Sequence, residues 1–534
     1  MWKQEFHQTG KLIRFILKRD RLRLPIWLVS LVFLTMITAS SFTELYHSQE
    51  ERQAMAETMR NPAMTAMVGP GYGLDNYTVG AMMSHQMLLF SAVLVAIMNI
   101  LLIVRHTRTD EEEGRIELIR SLPVGRASTL TASLVVLLAA NILLALLIGV
   151  GLYSMRIESM DLNGSLLYGA ALGATGIFFS AVTALFAQLS QHSRGAVGYS
   201  MTVLGLSYLL RAIGDVSNET LSWFSPLGWA TGTKAYVAND WGPVVLAGVI
   251  SIIITAGVLY LNRLRDLGSG FLPSNPGKKH ASLLLLSPLG LALRLQRTSI
   301  ISWAIGMYLL GVSYGSVLGD LESFFASSDI MNDMLPPVEG LSLTEQFLTM
   351  IMAVISMICT VPALLFMLKV KGEEKQSRTE HLLSRAVSRW KLLGSYALLS
   401  SFFSFVMILL AVTGLWSASV STMEDPIAFL SLFKGAVVYL PAIWVMIGTA
   451  IFLIGLVPSL TSLSLLYLGY SFFIVYLGGM MQFPEWLSSL SPFGHVPQIP
   501  MEDFNLTAVL LLLGVSAILT AAGFAGYRRR DITG

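Results

Sequence analysis

Twelve apolar runs of about 20 residues each, separated by short polar stretches, limit what this chain can fold into more than any other feature. A run of that length crosses a hydrocarbon layer as a helix, and inside lipid a helix satisfies every backbone polar group from within its own segment. The runs fall near 25–43, 82–104, 128–152, 165–187, 195–214 and 243–261, then near 300–319, 346–368, 393–416, 434–456, 462–480 and 506–527. The expected fold class is all-α, a polytopic membrane protein with 12 transmembrane helices. Of 534 residues 54% are hydrophobic and 13% charged, and the mean hydropathy is +0.65, which excludes a soluble domain. A net charge of +2 gives no reason to expect a nucleic-acid partner.

Charge is unevenly distributed along the runs. With the N-terminus inside, 29 of the 35 Lys and Arg lie in cytoplasmic segments, a strong positive-inside bias that leaves both termini cytoplasmic. The first 24 residues carry Lys3, Lys11, Arg14, Lys18, Arg19, Arg21 and Arg23, with Phe6, Ile13, Ile16 and Leu17 on another helical face. This reads as an amphipathic helix on the inner membrane surface rather than a cleaved signal, whose charged region is shorter.

Between the second and third runs lies a dense polar island, Glu111 to Arg126, and a shift of 263 positions lays a second island on it. Glu111/Glu374, Arg115/Arg378, Glu117/Glu380, Ser121/Ser384, Val124/Val387 and Arg126/Arg389 are then identical. Ser225-Pro226-Leu227-Gly228 before the sixth run is answered by Ser491-Pro492-Phe493-Gly494 before the twelfth. Arg263 to Asp266 likewise matches Arg528 to Asp531. Six spans per half is an even number, so the expected architecture is two parallel six-helix repeats. The domains are then 1–261, a first six-helix half; 262–297, a cytoplasmic linker with a surface helix; and 298–534, the second six-helix half.

In the island Ile116, Ile119 and Leu122 share a helical face, and Pro123 with Gly125 stop the helix before the next span. A short charged helix projecting from a membrane and present twice suits docking on a soluble partner. The candidate contact residues are Glu111, Arg115, Glu117, Arg120, Arg126, Glu374, Arg378, Glu380 and Arg389.

The island, the stretch Ser225 to Pro243, and the linker RDLGSGFLPSNPG followed by SPLGLALRLQRTSIISW resemble the permease subunit of bacterial ABC exporters of polyketide antibiotics, the tetronasin-resistance type. The likeness covers both halves. It implies a bacterial cytoplasmic membrane location, two copies of a separate ABC ATPase that bind ATP and Mg, and islands that couple to them. It also implies a cavity lined by spans one, two and five of each half, offering Met82, Met83, Gln86, Phe90, Tyr199, Met201 and Tyr208, with Phe347, Met350, Tyr467, Tyr470 and Phe473 opposite. Soft methionine and aromatic walls suit a lipophilic cargo. The family pattern is broken where Lys375-Gln376-Ser377 replaces Glu112-Glu113-Gly114, which leaves the equivalence of the two docking sites open.

Other chemistries lack their residues. No G-x-x-x-x-G-K-[ST] phosphate loop is present, so this chain is not expected to hydrolyse ATP itself. The 8 His and single Cys359 show no metal-ligand spacing and no catalytic constellation. A secondary transporter needs ionisable groups near mid-membrane, whereas Glu44, Arg211, Asp215, Asp320 and Glu345 sit at outer ends of the runs. Outer-loop acids such as Asp240 and Asp329 form no assignable catalytic pattern. GPGYG at 69–73 reads as a turn over the outer mouth, and His85 as a packed or mouth-lining residue. An ABC permease for another lipophilic compound, such as a lipid or peptide, is the alternative reading.

Overall fold

A computed structural model describes residues 2–60, 62–272, 279–318, 343–385, 387–423, 426–481, 484–499 and 504–531. The chain is all-helical, with no strand among the described residues. It divides into two compact units, Met1–Pro276 and Gly277–Gly534, and the division falls inside the linker. Asp320 and Asp329 lie outside the described residues.

In the first unit the long helices are α1 (Thr9–Arg19), α2 (Arg23–Leu45), α3 (Val79–Val104), α5 (Ser128–Ser154), α6 (Leu162–Leu189), α7 (Ser193–Ser217) and α8 (Gly242–Leu264), with the short α4 (Arg115–Arg120) between α3 and α5. The second unit contains α9 (Pro288–Val317), α10 (Leu343–Lys375), the short α11 (Arg378–Leu383), α12 (Arg389–Thr422), α13 (Phe429–Val437), α14 (Leu440–Leu456), α15 (Leu463–Met481) and α16 (Leu506–Arg529). Ten described segments are long and apolar enough to cross a membrane, against the twelve runs of the sequence. In α9 the apolar stretch is diluted by Ser302, Ser313, Tyr314 and Ser316, and in α15 the described apolar stretch, Leu463–Val475, is shorter. The expected second surface helix does not stand apart, because Pro288 to Val317 is one helix of 30 residues.

Burial separates central from peripheral spans. The membrane stretches of α3 and α6 are 67% and 78% buried and that of α8 only 17%; in the second unit α10 and the α13–α14 segment reach 78% and 72%, and α16 is 17%. Helices enclosed on most sides within their own unit lose the amphipathic signature, so their sequence cannot tell which face is covered. Polar side chains add specificity to the first core. Asn99 and Asn141 exchange amide hydrogen bonds of 3.1 and 2.7 Å across α3 and α5, and Ser180 of α6 donates to Asn99 Oδ1 at 2.8 Å. Fully buried amides that satisfy each other in this way bind three helices without leaving a polar group in hydrocarbon.

The Ser-Pro-x-Gly stretches each build the same local structure, and there are three of them. Ser225, Ser287 and Ser491 cap a helical turn through their side-chain oxygens, with Pro226, Pro288 and Pro492 in the first turn, where no backbone N–H is needed. The glycine that follows lies against the carbonyl six residues earlier: a Cβ on Gly228 would stand 2.2 Å from Ser222 O, and one on Gly494 2.3 Å from Ser488 O. Alanine at either position forces the turn apart, at a cost of about 1–3 kcal/mol. Thermal unfolding of Gly228→Ala and Gly494→Ala in detergent is expected to show lowered midpoints. Midpoints equal to the parent would mean that the tight approach is not maintained.

Candidate functional site

The island end of the first unit is held together by buried charge. Helix α3 continues through a π turn, Arg105–Thr109, and a last turn, Asp110–Glu112, and Gly114 with φ +72° then reverses the chain into α4. Glu111, nearly enclosed, accepts from Arg108 at 3.0 Å, from Arg265 at 2.9 and 3.1 Å, and from the Gly268 backbone N–H at 2.7 Å. Arg108 also donates to Ala187 O at 2.6 Å, near the end of α6. Beyond α4, Arg126 donates to the carbonyl of Arg265 at 2.7 Å, the C-cap of α8, where a cation meets the negative end of the helix dipole. Helix α4 is thereby strung between two clamps on one helix end.

Asp110 joins the short helix to the N-terminal surface helix. It takes Arg115 at 2.8 Å on one oxygen and Arg19 at 2.7 Å on the other. His106 Nε2 lies 2.6 Å from Asp20, and His106 Nδ1 faces Arg19. Burial pushes the Asp20 carboxyl pKa up, but His106, Arg19 and Arg23 outweigh it and hold it below the ordinary value. Burial and the nearby Arg126 pull the pKa of Arg120 down. Between α1 and α4 runs an apolar groove of about 420 Å³, lined among others by Leu12, Phe15, Ile119 and Leu122.

The second unit repeats the clamps with partly different residues. Glu374 accepts from Arg530 at 2.6 and 2.7 Å, and Arg530 is the C-cap of α16. Arg389 donates to Arg528 O at 2.9 Å and Arg530 O at 2.6 Å, as Arg126 does to Arg265. Lys371 reaches Pro458 O and, at 2.7 Å, Thr461 Oγ1, just past the end of α14. Glu373 takes Arg378 at 3.2 Å, and its second partner is Lys369 of its own helix at 3.2 Å, so among the described residues this island has no counterpart of the Arg19 link. Ser377 stands where Gly114 stands and takes the same left-handed backbone, φ +54°, at a conformational cost of about 1–2 kcal/mol. The departure from the family pattern at 375–377 therefore keeps the turn.

The structure divides the expected contact residues into two sets. Glu111, Glu374, Arg115, Arg378, Arg126 and Arg389 are engaged within their own units and Arg120 is half-buried beside Arg126, whereas Glu117 and Glu380 point outward on α4 and α11. The expected apolar ridge is split as well: Ile116 is buried, Ile119 half-buried, and Leu118 and Leu122 are 72% and 61% exposed. Sequence reasoning missed the pairs Arg108/Lys371 and Asp110/Glu373, which obey the same shift of 263 but lie just before the windows compared. It also missed Arg265 and Arg530 as partners, although both fell in matched stretches.

Within each unit the expected cavity residues differ in exposure. Met82, Met83 and Gln86 are buried in the first core, with Gln86 donating to Tyr77 OH at 3.2 Å, while Phe90 faces outward in a stripe with Leu94 and Leu101. Tyr199 is exposed, tilted against Phe186 at 5.7 Å; Met201 packs on the core; and Tyr208 donates to Met67 O at 2.9 Å. In the second unit Phe347 is buried and Met350 packs beside it. Tyr467 and Tyr470 stack at 6.4 Å and donate to Leu490 O and Leu487 O, and Phe473 is exposed. Methionine and aromatic content marked these helices but not their covered faces. The GPGYG loop is pinned by Tyr72 OH to Ser84 at 2.8 Å and by buried His85 to Gly69 O at 3.2 Å. Buried Arg211 donates to Thr65 O, Ala66 O and Met67 O at a helix end and pairs with Asp215 at 3.1 Å.

Residues 11–261 and 285–528 match the family model described as the C-terminal domain of the multidrug efflux system permease Rv1217c. The chain is also 34% identical over 531 residues to the multidrug efflux system permease protein Rv1217c of Mycobacterium tuberculosis, covering 99% of this chain and 96% of that protein.

Removing one member of a buried pair strands the other charge, at about 3–5 kcal/mol, whereas replacing both together costs far less. Glu374→Ala is expected to lower the unfolding midpoint sharply, and Glu374→Ala with Arg530→Met to recover most of it. A double variant no more stable than the single one would show that the pair does not act as a unit.

Proposed function

The chain belongs to the multidrug efflux permease family of Rv1217c, and from that premise we propose that it is the membrane subunit of an ATP-driven ABC exporter of lipophilic compounds. On this reading twelve helices form two parallel six-helix halves in the bacterial cytoplasmic membrane, with both termini and both islands in the cytoplasm. Two copies of a separate ATPase bind ATP and Mg and dock on the islands, and the chain itself catalyses no reaction. The observation that carries the proposal is the doubled clamp: in each unit two long helix ends are joined by a carboxylate–guanidinium pair, and a short helix with an outward-facing glutamate is tied by a second ion pair to one of those ends. A helix so fixed passes a push on its exposed face into the spans, and one held only by a flexible loop does not.

The cargo follows from the spans. They carry no charged residue at their centres, so nothing there offsets the desolvation of a multiply charged solute. A lipophilic polyketide, including a polyether carboxylic acid, suits walls of aromatic and aliphatic side chains such as Phe90, Tyr199 and Phe473. Lipids and apolar peptides share that chemistry and form the second reading.

Docking is tested at the outward glutamates, because reversing Arg115 or Arg378 also breaks a local ion pair. Glu117→Arg combined with Glu380→Arg is expected to reduce co-purification of the proposed partner ATPase by on the order of tenfold or more, with the melting midpoint unchanged. Undiminished capture by the double variant would remove the islands as the docking site.

A further inference from the structure

We propose that a groove in the second unit binds a monoanionic lipophilic acid, its carboxylate paired with Lys434. The helix segment Phe429–Leu456 is broken at Val438–Tyr439, so that α13 ends and α14 begins with Pro441 in its first turn. Across this break opens a cavity of about 810 Å³, walled by Phe433, Val437, Trp444, Phe504 and Leu513, with Lys434 the one charged residue of its lining among the described residues. That volume is in the range of small-molecule sites. It holds one apolar chain or a compact folded acid, and is too small for both chains of a phospholipid.

Lys434 distinguishes this groove from an ordinary lipid-facing crevice. It lies near the end of its span but lines the groove, where a cation close to apolar walls is a candidate ligand contact. Arg211, the other cation well inside an outer span end, is fully buried against Asp215 and three carbonyls. Lys434 by contrast is exposed, and no ion pair to it is present among the described residues. Helix α6, which holds the same place in the order of helices in the first unit, runs unbroken and carries no charge. The walls are fixed in place: Phe433 stacks on Phe429 at 5.9 Å, and Trp444 donates from Nε1 to Ser404 at 3.3 Å while its carbonyl accepts from Ser516 at 2.8 Å. One cation above a preformed apolar wall complements a single carboxylate on a greasy body, and charge complementarity selects that occupant over a neutral one.

The assignment of this acid as cargo rests on the exporter reading, but its binding does not. The test uses the purified full-length chain, without ATPase, in phosphatidylcholine nanodiscs with a photoactivatable diazirine analogue of palmitic acid. Labelling is expected on peptides spanning Phe433 to Trp444 and Val509 to Leu513, about tenfold weaker in Lys434→Gln, retained in Lys434→Arg, and weak with the methyl ester of the probe. Equal labelling of Lys434→Gln or equal labelling by the ester would overturn the site. Loss of label when phosphatidylglycerol is added to the nanodiscs would overturn the occupant and make the groove a lipid seat. Specific labelling together with failure of ATP-driven export would leave the groove and remove the exporter reading; export without labelling would do the reverse.

Discussion

Buried charge at the ends of long apolar helices is the interaction on which the rest of this structure depends. Hydrophobic association gives little direction inside a bilayer, because lipid chains are as apolar as the helices, so packing and polar contacts must set which helices meet. At the island end that task falls to carboxylate–guanidinium pairs between the second and sixth long helices of each unit, Glu111 with Arg265 and Glu374 with Arg530. Each pair is nearly enclosed; Glu111 takes further donors from Arg108 and the Gly268 N–H, and Glu374 takes Arg530 on both oxygens. The result is a fixed point from which α4 and α11 project.

The two units use the clamp with different attachments. In the first, Asp110 ties the short helix to Arg19 and so to the N-terminal surface segment; in the second, Glu373 turns back to Lys369. A displacement of α4 therefore pulls on one more element than a displacement of α11. The far ends also differ. In the first unit Arg211 and His85 gather a loop over the helix ends, and in the second a broken helix opens a groove around Lys434. Similar scaffolds thus carry distinct local chemistry.

Much of this was legible in the residues. Run length marked the helices because the bilayer sets it, and the shift of 263 identified the two islands because charge between apolar runs is conspicuous. The Ser-Pro-x-Gly stretches could be seen as landmarks, but their cause, a glycine against a carbonyl six residues back, needs coordinates. Arg108 and Asp110 escaped because they sit at the end of an apolar run and read as its border, although they hold α6 and Arg115. Met82 and Met83 were grouped with Phe90 because a helix apolar on every side offers no period to show that the methionines face the core. Run length also could not show that the surface segment near Pro288 and the span after it are one helix.

The central claim is that force reaches these helices from outside the chain. Its most direct test is transport of a fluorescent lipophilic weak acid into inverted proteoliposomes holding the purified chain, with and without its ATPase, under either ATP or an imposed proton gradient. The account predicts accumulation above that of protein-free liposomes with the ATPase and ATP, and no excess over protein-free liposomes from the chain alone under any gradient. Gradient-driven accumulation by the chain alone would contradict it and make this protein a secondary transporter.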